Sequence, residues 1–290
     1  ELRARFEMGI QPVHNETLLE KNETSKIRLL LRQNERITRI LPLLLSRQRV
    51  TNQPSFFQAI PATSSSLKIG EFYGSVKKGG PCNVDSIKAT FHTCSTHTEC
   101  VGHISSNKIS ISEIIENRLI PTTVVSVNPK QIGKEKYHYS TSRNELVITK
   151  SSIETVCYGN NGFLDALAIR TLPNDCSKIS RNYEFQGFPF FTNDAMSLIQ
   201  DLQIQHLLID TPSFDRYYDN GKLGNHRIFW GVKIGDSEID PNNCSKRTIT
   251  EMIYIPESIK DGNYLLNLQV PEFLSDAAPS RPIIYPTNEI

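Results

Sequence analysis

The chain has 290 residues, 38% hydrophobic and 22% charged, with a formal net charge of only +1. That composition fits one large globular domain or two modest ones. The near-neutral balance gives no electrostatic reason to expect nucleic acid as the main partner, and no run approaches the roughly 20 apolar residues a bilayer crossing requires.

Residues 17–36 read as a polar, basic amphipathic helix, with Ile27, Leu30 and Leu31 on one side and Lys21, Lys26, Arg28 and Arg32 around it. Its narrow apolar face carries no aromatic residue. That favours an extension packed on the body or on a partner subunit over a membrane-surface helix. From residue 51 the pattern changes to short β-like runs separated by Gly, Pro, Asn and Asp. Strands are expected over 67–76, 86–93, 122–127, 165–172, 206–210, 248–254 and 264–269. Helices are expected over 111–118, 151–158 and 194–202, the last capped by Thr192. Strands outnumber helices but alternate with them, so residues 37–290 are expected to form one mixed α/β domain behind a helical extension, 1–36.

The six cysteines include no Cys-x-x-Cys pair, and a core of this size needs no staples, so they read as reduced thiols of a cytoplasmic protein. Gly74 to Gly80 has the glycine spacing of a phosphate loop, but Gly80 stands where Lys is required. Gly-x-Ser-x-Gly, Gly-x-Gly-x-x-Gly and His-Glu-x-x-His are all absent.

The dense site runs from Phe91 to His103, where three of the seven histidines fall within twelve residues around a carboxylate. In an extended stretch alternate side chains share a face. His97, Glu99 and His103, all odd-numbered, would then project together. Imidazole nitrogen and carboxylate oxygen suit a divalent ion such as Zn²⁺ or Mn²⁺. A single histidine is more often simply hydrogen-bonded in place. Several beside a carboxylate need a metal or a proton network to hold them. His92 breaks the parity and joins the group only through a bend or bulge between Thr93 and Thr96.

Thr96-His97-x-Glu99-x-x-x-His103 resembles, in register, the latter part of the His-x-Gly-Thr-His-x-Asp-x-Pro-x-His motif of the cyclase family of metal-dependent hydrolases, which includes bacterial kynurenine formamidase and isatin hydrolase. Glu99 replaces Asp, Val101 replaces Pro, Ser95 replaces Gly, and the first His is displaced by one, to His92. Downstream, Leu208 to Asp215 is similar to the family's Asp-x-Pro-Ser-x-Asp segment, Asn225-His226-Arg227 to Ala-His-Arg, and Thr250-Glu251-Met252 to a later strand whose Glu faces the metals.

The resemblance implies a cyclase-like mixed sheet of the swivelling β/β/α type. It implies His92, His97 and Glu99 as holders of one ion, with His226 and Glu251 approaching the same centre or holding a second, Glu99 bridging. His103 becomes the general base and acid of amide hydrolysis in a small aryl or cyclic substrate. Asp210, Ser213 and Asp215 are candidates to orient ligand histidines. Trp230 and Phe188 to Phe191 are candidates for an apolar pocket wall, with core packing the commoner role. A homodimer or larger homo-oligomer is implied, with no nucleic acid and no membrane as partner. Without the resemblance, His226 reads equally as a surface histidine at a helix end and Glu251 as an exposed strand carboxylate. Two other functions stand beside hydrolysis: a metal- or ligand-binding protein without turnover, and a structural subunit assembled through its N-terminal helix.

Overall fold

The computed structural model describes residues 38–39, 53–157 and 163–287, so the helix expected over 17–36 lies outside the described residues. Nine strands form the main sheet: β1 (Thr38–Arg39), β2 (His97–Glu99), β3 (Leu119–Val127), β4 (Ala166–Thr171), β5 (His206–Ile209), β6 (Thr248–Glu251), β7 (Gly262–Gln269), β8 (Ala277–Pro279) and β9 (Arg281–Pro286). Their order is β1-β9-β7-β3-β4-β5-β6-β2-β8. The central four, β3 to β6, run parallel. Antiparallel strands flank them, β7 against β3 and β2 against β6. Among the described residues the α-helices are α1 (Phe91–Cys94), α2 (Ile111–Ile114), α3 (Lys150–Cys157), α4 (Tyr183–Gln186), α5 (Asn193–Asp201) and α6 (Gly224–Trp230).

The parallel block is covered on both faces, as parallel sheets require. Odd-numbered residues such as Val125, Leu167, Ile169, Leu207 and Ile249 pack with Ile153, Met196, Ile199 and Phe229 of the helices. Even-numbered Val124, Ala166, Ala168 and Leu208 pack instead with Leu266 of β7 and with Ile253, Ile255 and Ile259 of the β6–β7 connection. This is the mixed α/β fold expected from the alternation of patterns. Thr192 caps α5 as its position predicted, accepting from Ala195 N–H at 3.3 Å.

Several expected elements are shorter than their patterns; the strand over 248–254, for one, ends at Glu251. The run over 67–76 becomes two short strands, Lys68–Ile69 and Phe72–Tyr73, turned about Gly70 at φ +56°. The helix over 111–118 stops at Ile114, closed at its start by a Ser110–Glu113 capping box, and the chain is extended again at Ile115. The strand over 86–93 ends at Lys88 and gives way to α1. There the side chains of Thr93, Cys94 and Ser95 bond back to the Thr90 and Phe91 carbonyls, an alternative to a sheet ladder. Strands β8 and β9 were not anticipated, because Pro279, Pro282 and Pro286 weaken a strand signal. They lie at or next to the sheet edges, where proline is tolerated.

Candidate metal centre

Period-two geometry sets His97 and Glu99 of β2 on one face, both fully buried, while Thr98 between them meets the Thr250 hydroxyl at 2.9 Å. Strand β6 lies antiparallel beside β2 with Glu251 directly opposite His97, a register that places the two side chains within cross-strand reach. His97 Nε2 is 3.5 Å from Glu251 Oε2 and 3.9 Å from Glu99 Oε2. Helix α1 delivers His92, whose Nε2 lies 3.4 Å from Glu99 Oε2. A helical turn, rather than the expected bend between Thr93 and Thr96, overcomes its wrong parity. Helix α6 delivers His226, with Nε2 3.2 Å from Glu99 Oε1 and 3.4 Å from Glu251 Oε1. His226 is 2% exposed and Glu251 4%, so neither is the surface residue that the sequence left open.

His103 reaches the same place by a different route. It sits on a single 3₁₀ turn, Val101–Ile104, not on a continuation of β2, and presents Nδ1 to Glu99 Oε2 at 3.7 Å. The shared odd parity of His97, Glu99 and His103 therefore explains only the first two.

The outward hydrogen bonds of the histidines identify which nitrogen is bare. His97 Nδ1 is 2.9 Å from the Ser95 carbonyl, which can only accept, so Nδ1 carries the hydrogen and Nε2 offers a lone pair. His226 Nδ1 is 2.7 Å from Asp215 Oδ2, with the same consequence. Two bare imidazole nitrogens thus face two carboxylates, acceptor against acceptor. His97 Nε2, Glu99 Oε1 and Glu251 Oε1 are buried with no hydrogen-bond partner. Such an arrangement is costly unless a cation occupies the point of convergence. The donor set fits one. The triads His92/His97/Glu99 and Glu99/His226/Glu251 each keep their ligand atoms within 4.8 Å of one another and share Glu99, and the more exposed His92/His103/Asp276 group does the same at the edge of the centre.

The electrostatics agree. Burial pushes the Glu99 carboxyl up, but the imidazoles of His103, His226 and His92 outweigh it and hold the group well below the usual carboxylate range. Burial disfavours a charged His226, yet Asp215, Glu251 and Glu99 raise its pKa well above the ordinary value. The field that draws a proton there is one a divalent ion would also meet.

Of the three residues expected to orient ligand histidines, Asp215 contacts one. Its carboxylate also takes the N–H groups of Asn225 at 2.8 Å and His226 at 3.2 Å, closing the start of α6, and the Tyr137 hydroxyl at 2.8 Å. Ser213 accepts the Asp215 N–H at 3.1 Å and so shapes the loop. Asp210 differs from the expectation. Its partners are Lys178 Nζ at 2.8 Å and the Thr171 N–H and hydroxyl at 2.9 and 2.8 Å, so it ties β4 and β5 together behind the centre. Trp230 and Phe191 belong to the core, and Trp230 donates its indole N–H to the Arg247 carbonyl. Phe188 packs against Phe56 and Tyr183.

Sequence reasoning missed Asp276. Its Oδ2 lies 3.0 Å from His92 Nε2 and 3.1 Å from His103 Nδ1. It missed Tyr137 and His138 too, which flank Asp215 from a connecting segment. None sits in a cluster of like residues, and only the fold brings them to the centre.

Fold and site together define a mixed α/β protein with a buried histidine–carboxylate centre suited to divalent cations. The chain belongs to the cyclase family, whose sequence model ("Putative cyclase") matches residues 35–216. No curated protein matches the sequence significantly. Among solved structures, a potential metal-dependent hydrolase with cyclase activity aligns at TM-score 0.52 and 16% identity, over 81% of this chain and 94% of that one. A structure described as a novel cyclase aligns at 0.56 and 14% identity, over 96% and 94%. Isatin hydrolase A from Labrenzia aggregata, bound to benzyl benzoate, aligns at 0.55 and 12% identity, over 95% and 100%. At these identities the likeness is one of fold.

Proposed function

We propose that the protein is a metal-dependent hydrolase of a small amide, of aryl-formamide or cyclic-amide type. The observation that carries this reading is the set of bare, unpartnered acceptors of His97, Glu99 and Glu251 converging at one buried point. His92, His97 and Glu99 would hold one ion, Zn²⁺ or Mn²⁺, and Glu99, His226 and Glu251 a second. An ion so held supplies Lewis acidity and lowers the pKa of water from 15.7 toward about 7.

The remaining steps belong to the chain's own residues. His103 faces the carboxylates through Nδ1, which leaves Nε2 as its proton acceptor. It takes the proton as water adds to the substrate carbonyl, and returns it to the nitrogen as the C–N bond breaks. Burial of the centre excludes bulk water and strengthens each of these interactions. Membership of the family and a fold shared with isatin hydrolase support the reading.

The test is metal analysis of protein purified without added ions, followed by assays on isatin, N-formylkynurenine and related amides. Bound divalent metal with turnover of one such amide is the expected result. His103→Ala is expected to keep its metal and lose about 10²–10⁴-fold in kcat, the usual worth of a general acid–base group. Stoichiometric metal with no turnover of any amide would instead make this a binding protein.

A further inference from the structure

We propose that Asp276 is the positioning residue for His103, fixing the proton on Nδ1 so that Nε2 is the nitrogen that works on substrate. The inference rests on the reading of His103 as proton carrier, and Asp276 lies beyond the family-matched segment, 35–216.

The residue stands immediately before β8, and its backbone is anchored to the site strand by Cys100 N–H to Asp276 O at 3.0 Å. The loop ahead of it is tied down at two further points: Ile111 N–H donates to the Ser275 carbonyl at 2.8 Å, and the Ser110 hydroxyl to the Phe273 carbonyl at 2.8 Å. Phe273 packs edge-on against Phe91 of α1. Within the carboxylate, Oδ1 accepts the Ser275 hydroxyl at 3.1 Å, which turns Oδ2 toward His92 and His103. The two imidazoles are stacked, with ring centres 4.6 Å apart.

The orientation of His103 is the reverse of that of His97 and His226. Those two direct Nδ1–H away from the centre, to Ser95 O and Asp215, and point a bare Nε2 into it. His103 turns Nδ1 inward, to within 3.1 Å of Asp276 and 3.7 Å of Glu99. Both neighbours are carboxylates, and Asp276 Oδ2 is within hydrogen-bond distance of Nδ1, which places the hydrogen on Nδ1. A histidine so turned is not arranged as the other two are. Asp276 Oδ2 also lies 3.0 Å from His92 Nε2, and an ion taking that His92 lone pair would leave His103 Nδ1–H as the donor to the oxygen, with Nε2 of His103 left for chemistry, the relation of base to orienting carboxylate.

Histidine tautomers report this directly. In Zn²⁺-loaded, ¹⁵N-histidine-labelled full-length protein, two-bond ¹⁵N–¹H spectra should show His103 as the Nδ1–H form, its signals assigned by their loss in His103→Gln. Asp276→Ala should shift His103 to the Nε2–H form that free imidazole side chains favour, and Asp276→Asn, whose amide oxygen still accepts, should retain Nδ1–H. Zn²⁺ affinity by calorimetry should stay within about threefold of the parent in both, and kcat on any amide the parent hydrolyses should fall roughly 10²-fold in Asp276→Ala with KM little changed. An Nε2–H His103 in the parent protein overturns the proposal even if the alanine variant does not fold. So does a tenfold or greater loss of Zn²⁺ affinity in Asp276→Asn, which would make Asp276 a ligand. Absence of amide turnover by the parent would count against the hydrolase reading alone, because the tautomer is read without substrate.

Discussion

Glu99 is 1% exposed and is flanked by the imidazoles of His103, His226 and His92. A buried carboxylate in that position commits the surrounding residues to charge matching. The matching continues one residue further out, where Asp215 holds Nδ1 of His226 and is in turn held by Tyr137 and two α6 amides. Partners of this kind typically govern metal affinity by 10–100-fold. Asp215→Asn, which keeps an acceptor for Nδ1–H but removes the charge, is therefore expected to weaken divalent-metal binding by roughly 10–100-fold in calorimetric titration. Affinity equal to the parent's would show that His226 does not need its carboxylate, and would remove it from the ligand set. At this scale the sequence was partly legible. The His97-x-Glu99 spacing has one geometric meaning on a strand, whereas Asp276 has no local pattern at all.

Elements set the register that turns such residues into a site. Glu251 faces His97 only because β6 and β2 pair as they do, and a slip of β6 by one residue would turn Glu251 to the opposite face. The hydrogen bond between Thr98 and Thr250 lies inside that pairing and pins it. At the other end of the parallel block, His206 opens β5 and bonds the Thr248 hydroxyl of β6 at 2.8 Å. Burial, reinforced by the Arg118 guanidinium, lowers its pKa to about 4 from an ordinary value of 6.5. The unfolded chain therefore takes this proton first. His206 contributes its full stability above pH 6.5 and loses it as the pH falls toward 4. The loss amounts to about 3 kcal/mol at roughly 1.4 kcal/mol per pH unit. Urea unfolding of His206→Asn across that range should show a pH dependence flatter than the parent's by an amount of this order. Parallel curves for parent and variant would mean that His206 is not buried neutral.

Across the whole molecule, the candidate ligands come from α1 and β2, which adjoin, and from α6 and β6, which lie far from them along the chain. An ion bound there joins elements that the unfolded chain cannot gather, so its binding energy becomes folding energy. Chelator-treated protein is expected to unfold at lower temperature than the metal-loaded form. The stabilisation should approach about 2.7 kcal/mol when free metal is a hundredfold above its Kd. A melting temperature unmoved by chelator and by added Zn²⁺ or Mn²⁺ would contradict a centre built from so many elements. Among the described residues no helix is long and apolar enough to cross a membrane, and all six cysteines are free thiols.

The sequence by itself determined the alternation of strands and helices, the approximate ranges of the core strands, and the cluster around Glu99 that named the family. These are local quantities: side-chain period, capping chemistry and short motifs act over a few residues. Only the tertiary structure decided that His92 arrives on a helical turn, that His103 faces the centre through the opposite nitrogen from its neighbours, that Asp210 serves Lys178 instead of a histidine, and that Asp276 closes the site. Each of those depends on which strand edge or loop packs beside which. That is fixed by burial and hydrogen bonding between segments remote in the chain, and no window of sequence contains both partners.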